Sequence, residues 1–344
     1  MHSAVRAAAI VVGASALAAC GSGSAGSRDY IRAVGSSTVY PFATTVAEQF
    51  AKTGYKSPVI EANGTGSGMK LFCNGLGYAY PDIENASRRI KKSEYATCQK
   101  NGVKQIVEIQ VGLDGIAFAE SVNGPGMKLT PADVYKAIAA KPFGQPNRTT
   151  SWKQVNPALP DMPIMVYGPP STSGTRDALA ELILTKGCKT DPATAALEKS
   201  DPDRFKAICT QVREDGGYVD AGENDNLIVQ KISQNPRAIG VFGYSFLEEN
   251  PQSLRGIPMS GITPTYQTIS DFTYPGARPL FIYVKTSHLG PIKGLAAYVQ
   301  EWPKVWGPGG VLQKKGLVIA PAEVRANSAR IIAAMTPLDP ASLK

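Results

Sequence analysis

The chain has 344 residues, long enough for two domains with sizeable cores. Hydrophobic content of 43% and charged content of 19% are ordinary for a globular protein. The net charge is +8, with no dense Lys/Arg block interleaved with aromatics, so a nucleic-acid stripe is excluded and the basic field is a diffuse one that attracts small anions.

The N-terminus reads as a targeting segment. Arg6 is followed by an apolar or small run from Ala7 to Ala19, too short to span a bilayer. Leu17-Ala18-Ala19-Cys20 has the form of a bacterial lipobox and resembles lipoprotein signals. That likeness implies a signal peptide over 1–19, cleavage before Cys20, lipidation of its thiol and a tether over 20–28. The remaining cysteines, Cys73, Cys98, Cys188 and Cys209, are even in number in an exported chain, which suggests two disulfides. Loop-closure entropy and order along the chain favour Cys73–Cys98 and Cys188–Cys209. Their spacings match no zinc site, and His288 is the one histidine left after cleavage, so no metal or cofactor is expected.

In chain order, Tyr30–Val34 is a predicted strand and Gly35-Ser36-Ser37-Thr38 a turn. Pro41 suits a first helical position, and Phe42, Val46 and Phe50 recur at helical spacing. Pro58–Ala62 is a second strand. Asn63-Gly64-Thr65-Gly66-Ser67-Gly68 then leads into a short helix carrying Met69 and Phe72. Its glycines match neither G-x-G-x-x-G nor the Walker spacing, which leaves a Gly/Ser turn presenting N–H groups and the Ser67 hydroxyl. Asp82–Arg89 reads as a third loop, in which Arg88 follows Ser87, before a helix from about Ser93 and a stop at Gly102.

Gln105–Val111 and Gly115–Ala119 read as two strands, and Leu129–Ala139 as a helix opened by Thr130-Pro131. Ser151-Trp152 and Pro157–Pro163 read as loop. Ile164–Tyr167 is a strand, and Leu179, Leu182 and Ile183 lie on one helical face. Between them stands Pro169-Pro170-Ser171-Thr172-Ser173-Gly174-Thr175-Arg176-Asp177, a hydroxyl-rich strand-to-helix turn. The unpartnered N–H groups of such a turn carry partial positive charge and suit a small anion.

Thr185–Cys209 reads as polar and irregular. Asp220–Asn226 opens a helix with Leu227, Ile228 and Ile232, and Ala238–Phe242 and Pro279–Val284 are strands. Helices follow over about Ile292–Trp302 and Ala322–Met335. Strands alternating with helices predict an α/β fold with mostly parallel sheets and ligands at the strands' carboxyl ends.

These loops give the chain a family resemblance. Gly35-Ser36-Ser37-Thr38-Val39-Tyr40-Pro41, Gly64-Thr65-Gly66-Ser67-Gly68, Asn85-Ala86-Ser87-Arg88 and Thr172-Ser173-Gly174-Thr175 match, in order, the anion loops of the periplasmic phosphate-binding proteins of the high-affinity phosphate ABC transporter. The likeness continues through Glu223-Asn224-Asp225-Asn226-Leu227-Ile228-Val229-Gln230 to Arg278-Pro279-Leu280.

The resemblance implies a two-domain, type II-like periplasmic binding protein with its ligand cleft between the domains. Domain I would comprise 29–112 plus 280–344 and domain II 113–279, with crossings near Val111–Leu113 and Pro279–Phe281. It implies phosphate donors at Ser37, Thr38, Ser67, Ser87, Ser173, Gly174 and Thr175. Many relatives place an Asp after the third-loop Ser and an Arg before the Ser-Gly-Thr; this chain has Arg88 and Pro169 there. Arg88 is therefore the expected cation, with Arg176 behind it, and Asp225 the candidate acceptor for the proton of hydrogen phosphate. The implied role is capture of inorganic phosphate in the periplasm by a monomer that delivers it to permease subunits, without catalysis. Other readings are a binding protein for arsenate or sulfate, a secreted phosphoester hydrolase, which lacks Gly-x-Ser-x-Gly and has only His288 as histidine base, and a lipid-anchored interaction protein with a vestigial pocket.

Overall fold

A computed structural model of the chain describes residues 28–222 and 225–343. The expected signal segment and Cys20 lie outside these residues, as do Glu223 and Asn224 of the fifth matching segment.

The strands are β1 (Arg32–Gly35), β2 (Val59–Ala62), β3 (Ile83–Ala86), β4 (Ile106–Ser121), β5 (Val166–Gly168), β6 (Tyr218–Asp220), β7 (Ile239–Gly243), β8 (Leu254–Gly256) and β9 (Ala277–Lys285). They form one continuous path in the order β2-β1-β3-β9-β4-β7-β5-β6, with β8 paired to β4. The outer pairs β1–β2, β1–β3, β5–β6 and β5–β7 are parallel. The central strands are not: β9 runs antiparallel to β3 and β4, and β4 antiparallel to β7 and β8. The expected mostly parallel sheet is thus a mixed one, because two long strands carry the chain in opposite directions between its halves.

β4 was expected as two strands and is a single strand of 16 residues. Gly112 falls in the gap between the two expected strands, yet it and Gly115 are sites of close approach. A Cβ on Gly112 would lie 2.5 Å from the Leu317 side chain, and one on Gly115 would lie 2.8 Å from Ile269. The ladder to β9 shifts register between Gln110 and Gly112, so the glycine marks an irregularity inside the strand and not its end.

Two other readings are corrected. Asp82–Arg89 contains β3, buried at all four positions, whose polar Glu84 and Asn85 disguise a strand. Thr185–Cys209 is helical over Thr185–Cys188, Pro192–Ser200 and Pro202–Thr210. The Asp191 and Asp201 side chains cap the last two by accepting from the Thr194 and Arg204 N–H groups, with a proline next in each case. The first two of the three helices bury too few apolar side chains to show a stripe, whereas Pro202–Thr210 buries Phe205, Ile208 and Cys209 on one face. Ser151-Trp152, expected as loop, instead opens a short helix over Trp152–Val155.

The helix Tyr40–Ala51 buries Phe42, Val46 and Phe50, as its spacing predicts. It packs on the helix Leu295–Val305, where the Tyr298 hydroxyl donates to the Ala43 carbonyl at 3.1 Å. Cys73–Cys98 and Cys188–Cys209 are paired, with Cα separations of 4.1 and 5.3 Å. One apolar cluster runs from Leu113 to Tyr274 and adds Val318 and Ala320. Two others draw on residues from Ile31 to Val111 and from Leu280 onward.

Lys285, at the end of β9, is buried and donates to the Gly75 carbonyl at 2.7 Å, with its ammonium 4.9 Å from the Phe72 ring centre. Burial lowers its pKa from 10.5 to about 7. Between those values the unfolded chain binds the extra proton, so folding stability should rise with pH from about 7 towards about 10, by on the order of a few kcal/mol. Denaturant titrations at stepped pH should show this rise in the parent protein and a flatter curve in Lys285→Met.

Candidate anion site

The hydroxyl-rich turns follow β1, β2, β3 and β5, at their carboxyl ends. The first three are stitched together by backbone. The Gly35 carbonyl accepts from the Asn63 and Gly64 N–H groups at 2.9 and 2.8 Å. The Ser36 N–H donates to the Asn85 carbonyl at 2.7 Å. The Thr65 hydroxyl accepts from the Ser87 N–H at 3.1 Å and shares a second hydrogen bond with the Ser87 hydroxyl at 3.1 Å. Thr65, Gly66 and Ser67 form the opening turn of the helix Thr65–Phe72, and Ser67 is exposed there. The Gly-rich run is therefore the helix N-terminus itself and not a loop preceding it.

The fourth turn comes from the other half and meets the first. Ser173 caps the helix that starts at Gly174, its hydroxyl accepting from the Thr175 N–H at 3.2 Å. The Thr38 hydroxyl donates to the Gly174 carbonyl at 3.1 Å, and the Ser37 hydroxyl donates to the Asp177 carboxylate. A Cβ on Gly174 would lie 2.4 Å from the Thr38 Cα, so this approach requires glycine. An anion at this point would take the hydroxyl hydrogens that Asp177 and the Gly174 carbonyl hold here.

The cation beside these turns is Arg278, on β9. It is 4% exposed and binds three segments: Asp114 on β4 at 2.9 Å, Glu181 at 2.6 Å and the Thr38 hydroxyl at 2.7 Å. Burial pushes the Asp114 carboxyl up, against the pull of Arg278. Arg88 has both terminal nitrogens on Glu94, at 2.9 and 2.7 Å. Arg176 donates to the Pro169 carbonyl at 3.1 Å and lies over the Tyr218 ring at 4.4 Å. Asp225 opens the helix Asp225–Gln234 and accepts from the Gly243 N–H at 3.3 Å.

A family model described as a PBP superfamily domain matches residues 21–302. Protein SphX of Synechococcus elongatus is 35% identical over 266 residues, covering 75% of this chain and 68% of that protein. The phosphate-binding protein PstS of Staphylococcus saprophyticus is 30% identical over 300 residues, covering 84% of this chain and 82% of that one. The chain belongs to the PBP superfamily, among its phosphate-binding proteins. The crystal structure of a possible phosphate binding protein from Planctomyces limnophilus superposes with a TM-score of 0.71 at 27% identity, covering 90% of this chain and 99% of that chain.

Within this PBP fold, sequence reasoning assigned no role to Arg278, Asp114, Asp177 or Glu181. Arg278-Pro279-Leu280 stood among the matching segments, but a lone arginine in a strand carries no spacing signal. Asp177 was visible as the last residue of the fourth turn; only the contact with Ser37 gives it a place.

Gly174→Ala should force the first and fourth turns apart. Overpacking of this kind costs roughly 1–3 kcal/mol. Hydrogen-exchange protection of the Thr38–Val39 amides should fall in the variant, and unchanged protection would mean that the turns do not depend on this contact.

Proposed function

We propose that the chain captures inorganic phosphate outside the inner membrane and delivers it to an ABC permease. The observation that carries this reading is the convergence of Ser37, Thr38 and the Ser173–Thr175 turn on a buried arginine, in a chain whose relatives are named phosphate-binding proteins. The division into 29–112 plus 280–344 and 113–279 is supported by the apolar clusters, which change between Val111 and Leu113 and again between Tyr274 and Leu280. β4 and β9 are then the connectors about which the halves open. A lipid on Cys20 would hold a monomer at the membrane.

Within this reading Arg278 replaces Arg88 as the main cation. Arg278 donates to Thr38, a proposed phosphate donor, at 2.7 Å, whereas both terminal nitrogens of Arg88 are turned to Glu94. Two carboxylates are candidates for accepting the proton of hydrogen phosphate. Asp225 is the one the family resemblance suggests, and Asp177 touches a proposed donor, Ser37. The hydrolase reading loses its base: His288 Nδ1 pairs with Asp82 at 2.7 Å and its Nε2 accepts from the Gly77 N–H at 3.2 Å, away from these turns.

Calorimetric titration with phosphate, arsenate and sulfate tests the proposal. Phosphate should bind and should stabilise the protein by roughly 4 kcal/mol at a thousandfold excess over Kd. No heat and no thermal shift in protein stripped of anion would overturn it. Charge-assisted hydrogen bonds are worth roughly 1.5–3 kcal/mol, so Arg278→Ala should weaken binding ten- to a hundredfold or so, and more than Arg88→Ala. Of Asp177→Asn and Asp225→Asn, the variant that begins to admit sulfate identifies the acceptor.

A further inference from the structure

Glu84 stands out among the buried ionisable groups. It is 0% exposed, and neither carboxyl oxygen has a hydrogen-bond partner among the described residues. Its surroundings are two glycines of the donor turns. A Cβ on Gly68 would lie 2.3 Å from Glu84 Oε2 and 2.5 Å from the Gly35 Cα; one on Gly35 would lie 2.6 Å from Glu84 Oε1. Gly35 leads into Ser36–Thr38, Gly68 follows Ser67, and Ser87 lies three residues beyond Glu84, just past the end of its strand. The carboxyl thus fills the seam beneath three of the four donor turns.

A carboxylate without hydrogen bonds in such a place costs far more than the neutral acid. Burial accordingly pushes this group well above the ordinary carboxylate range. The charges acting on it pull in opposite directions and are paired with each other: Arg88 beyond the end of β3 and Glu94 on the helix Lys92–Lys100. From β9 its cross-strand neighbour is Tyr283, whose burial keeps the phenol neutral. On β1, Arg32 is taken by Glu61, and on the helix Thr65–Phe72 the nearest cation, Lys70, is exposed. Of the charges acting on it, Arg88 alone favours an ionised Glu84, and it is already paired with Glu94; an anion on the turns would add a second negative charge across the glycine seam.

We propose that Glu84 is a proton-linked positioning residue of the anion site, holding a proton whenever the donor turns are occupied and expelling the anion when it loses that proton. The proposal rests on the phosphate reading above. At alkaline pH, capture is then hydrogen phosphate plus the Glu84 carboxylate plus one proton from solvent, giving a complex in which Glu84 is the neutral acid. Linkage is reciprocal: the anion raises proton affinity at Glu84, and deprotonation weakens anion affinity by the same factor.

The test is calorimetric titration of the full chain with inorganic phosphate between about pH 6 and about pH 9.5, in buffers of contrasting ionisation enthalpy, so that protons taken up per phosphate are counted. Glu84→Gln and Glu84→Met are both neutral and of similar length, so one serves if the other folds poorly. At the acid end, all three proteins should bind phosphate with similar Kd. Towards the alkaline end, the parent's Kd should climb towards about tenfold per pH unit with up to one proton taken up, whereas the variants keep only the dependence of phosphate itself. Parallel pH profiles and equal proton counts in parent and variants overturn the role of Glu84 and leave the phosphate reading standing. Absence of phosphate binding by the parent at every pH overturns both.

Discussion

Arg278 ties the first hydroxyl-rich turn, the segment behind the fourth and the two long strands together at the point where those turns meet. One guanidinium on β9 reaches Asp114 on β4, Glu181 behind the fourth turn and Thr38 in the first. A charge this buried is tolerable only when its donors are matched, and the planar fork allows three partners in fixed directions. The arrangement fixes the Thr38 hydroxyl as well: it accepts from Arg278 and so turns its own hydrogen to the Gly174 carbonyl. The close approach of Gly174 to Thr38 follows from that hydrogen bond.

The long strands make the arrangement possible. β4 and β9 pair antiparallel from Ile106–Lys285 to Gly115–Ala277, passing from one apolar cluster to the other. Asp114 and Arg278 are direct partners in that ladder, near its far end. An ion pair held by backbone register needs no further ordering of the chain, so the site's central charge pair is set by the sheet and not by the loops. The Leu113–Val318 bridge brings a third segment across at the same level. The loops then supply what a strand cannot, namely helix N-termini and hydroxyls at the carboxyl ends of β1, β2, β3 and β5.

What the sequence made legible follows from how each feature is encoded. The donor turns are local runs of Gly, Ser and Thr, and local signals survive without tertiary knowledge. The cysteine pairs are short loops in order, and Phe42, Val46 and Phe50 form a stripe. Hidden features depend on contacts distant in sequence. Gly112 resembles a turn until Leu317 is seen packed on it. Glu84 and Asn85 read as loop because polar residues rarely fill a strand buried on both faces. The helices within Thr185–Thr210 are short and only the last carries an apolar stripe, Phe205, Ile208 and Cys209, so the Asp-Pro pairs at the starts of the last two are the clearer signal. Arg278 could be found only by the register that sets it against Asp114.

The balance of charge at the site constrains how it can hold an anion. Although the chain carries a net charge of +8, Arg278 is flanked by Asp114 and Glu181, and Ser37 faces Asp177. Carboxylates outnumber the cation in this neighbourhood. The diffuse positive surface therefore acts on encounter, where long-range fields raise on-rates, and contributes little to the bound state. In the bound state, Arg278 is already compensated by its carboxylates, so much of the attraction comes from backbone N–H groups, helix N-termini and hydroxyls, which carry partial charges. Such a site discriminates by hydrogen-bond polarity more than by charge. An oxyanion that keeps a proton can donate to a nearby carboxylate. A fully ionised one meets the same carboxylate with repulsion and leaves its acceptor capacity unused. On the proposed reading, the carboxylates that reduce the site's positive potential are also what favours hydrogen phosphate over an anion of similar size without a proton.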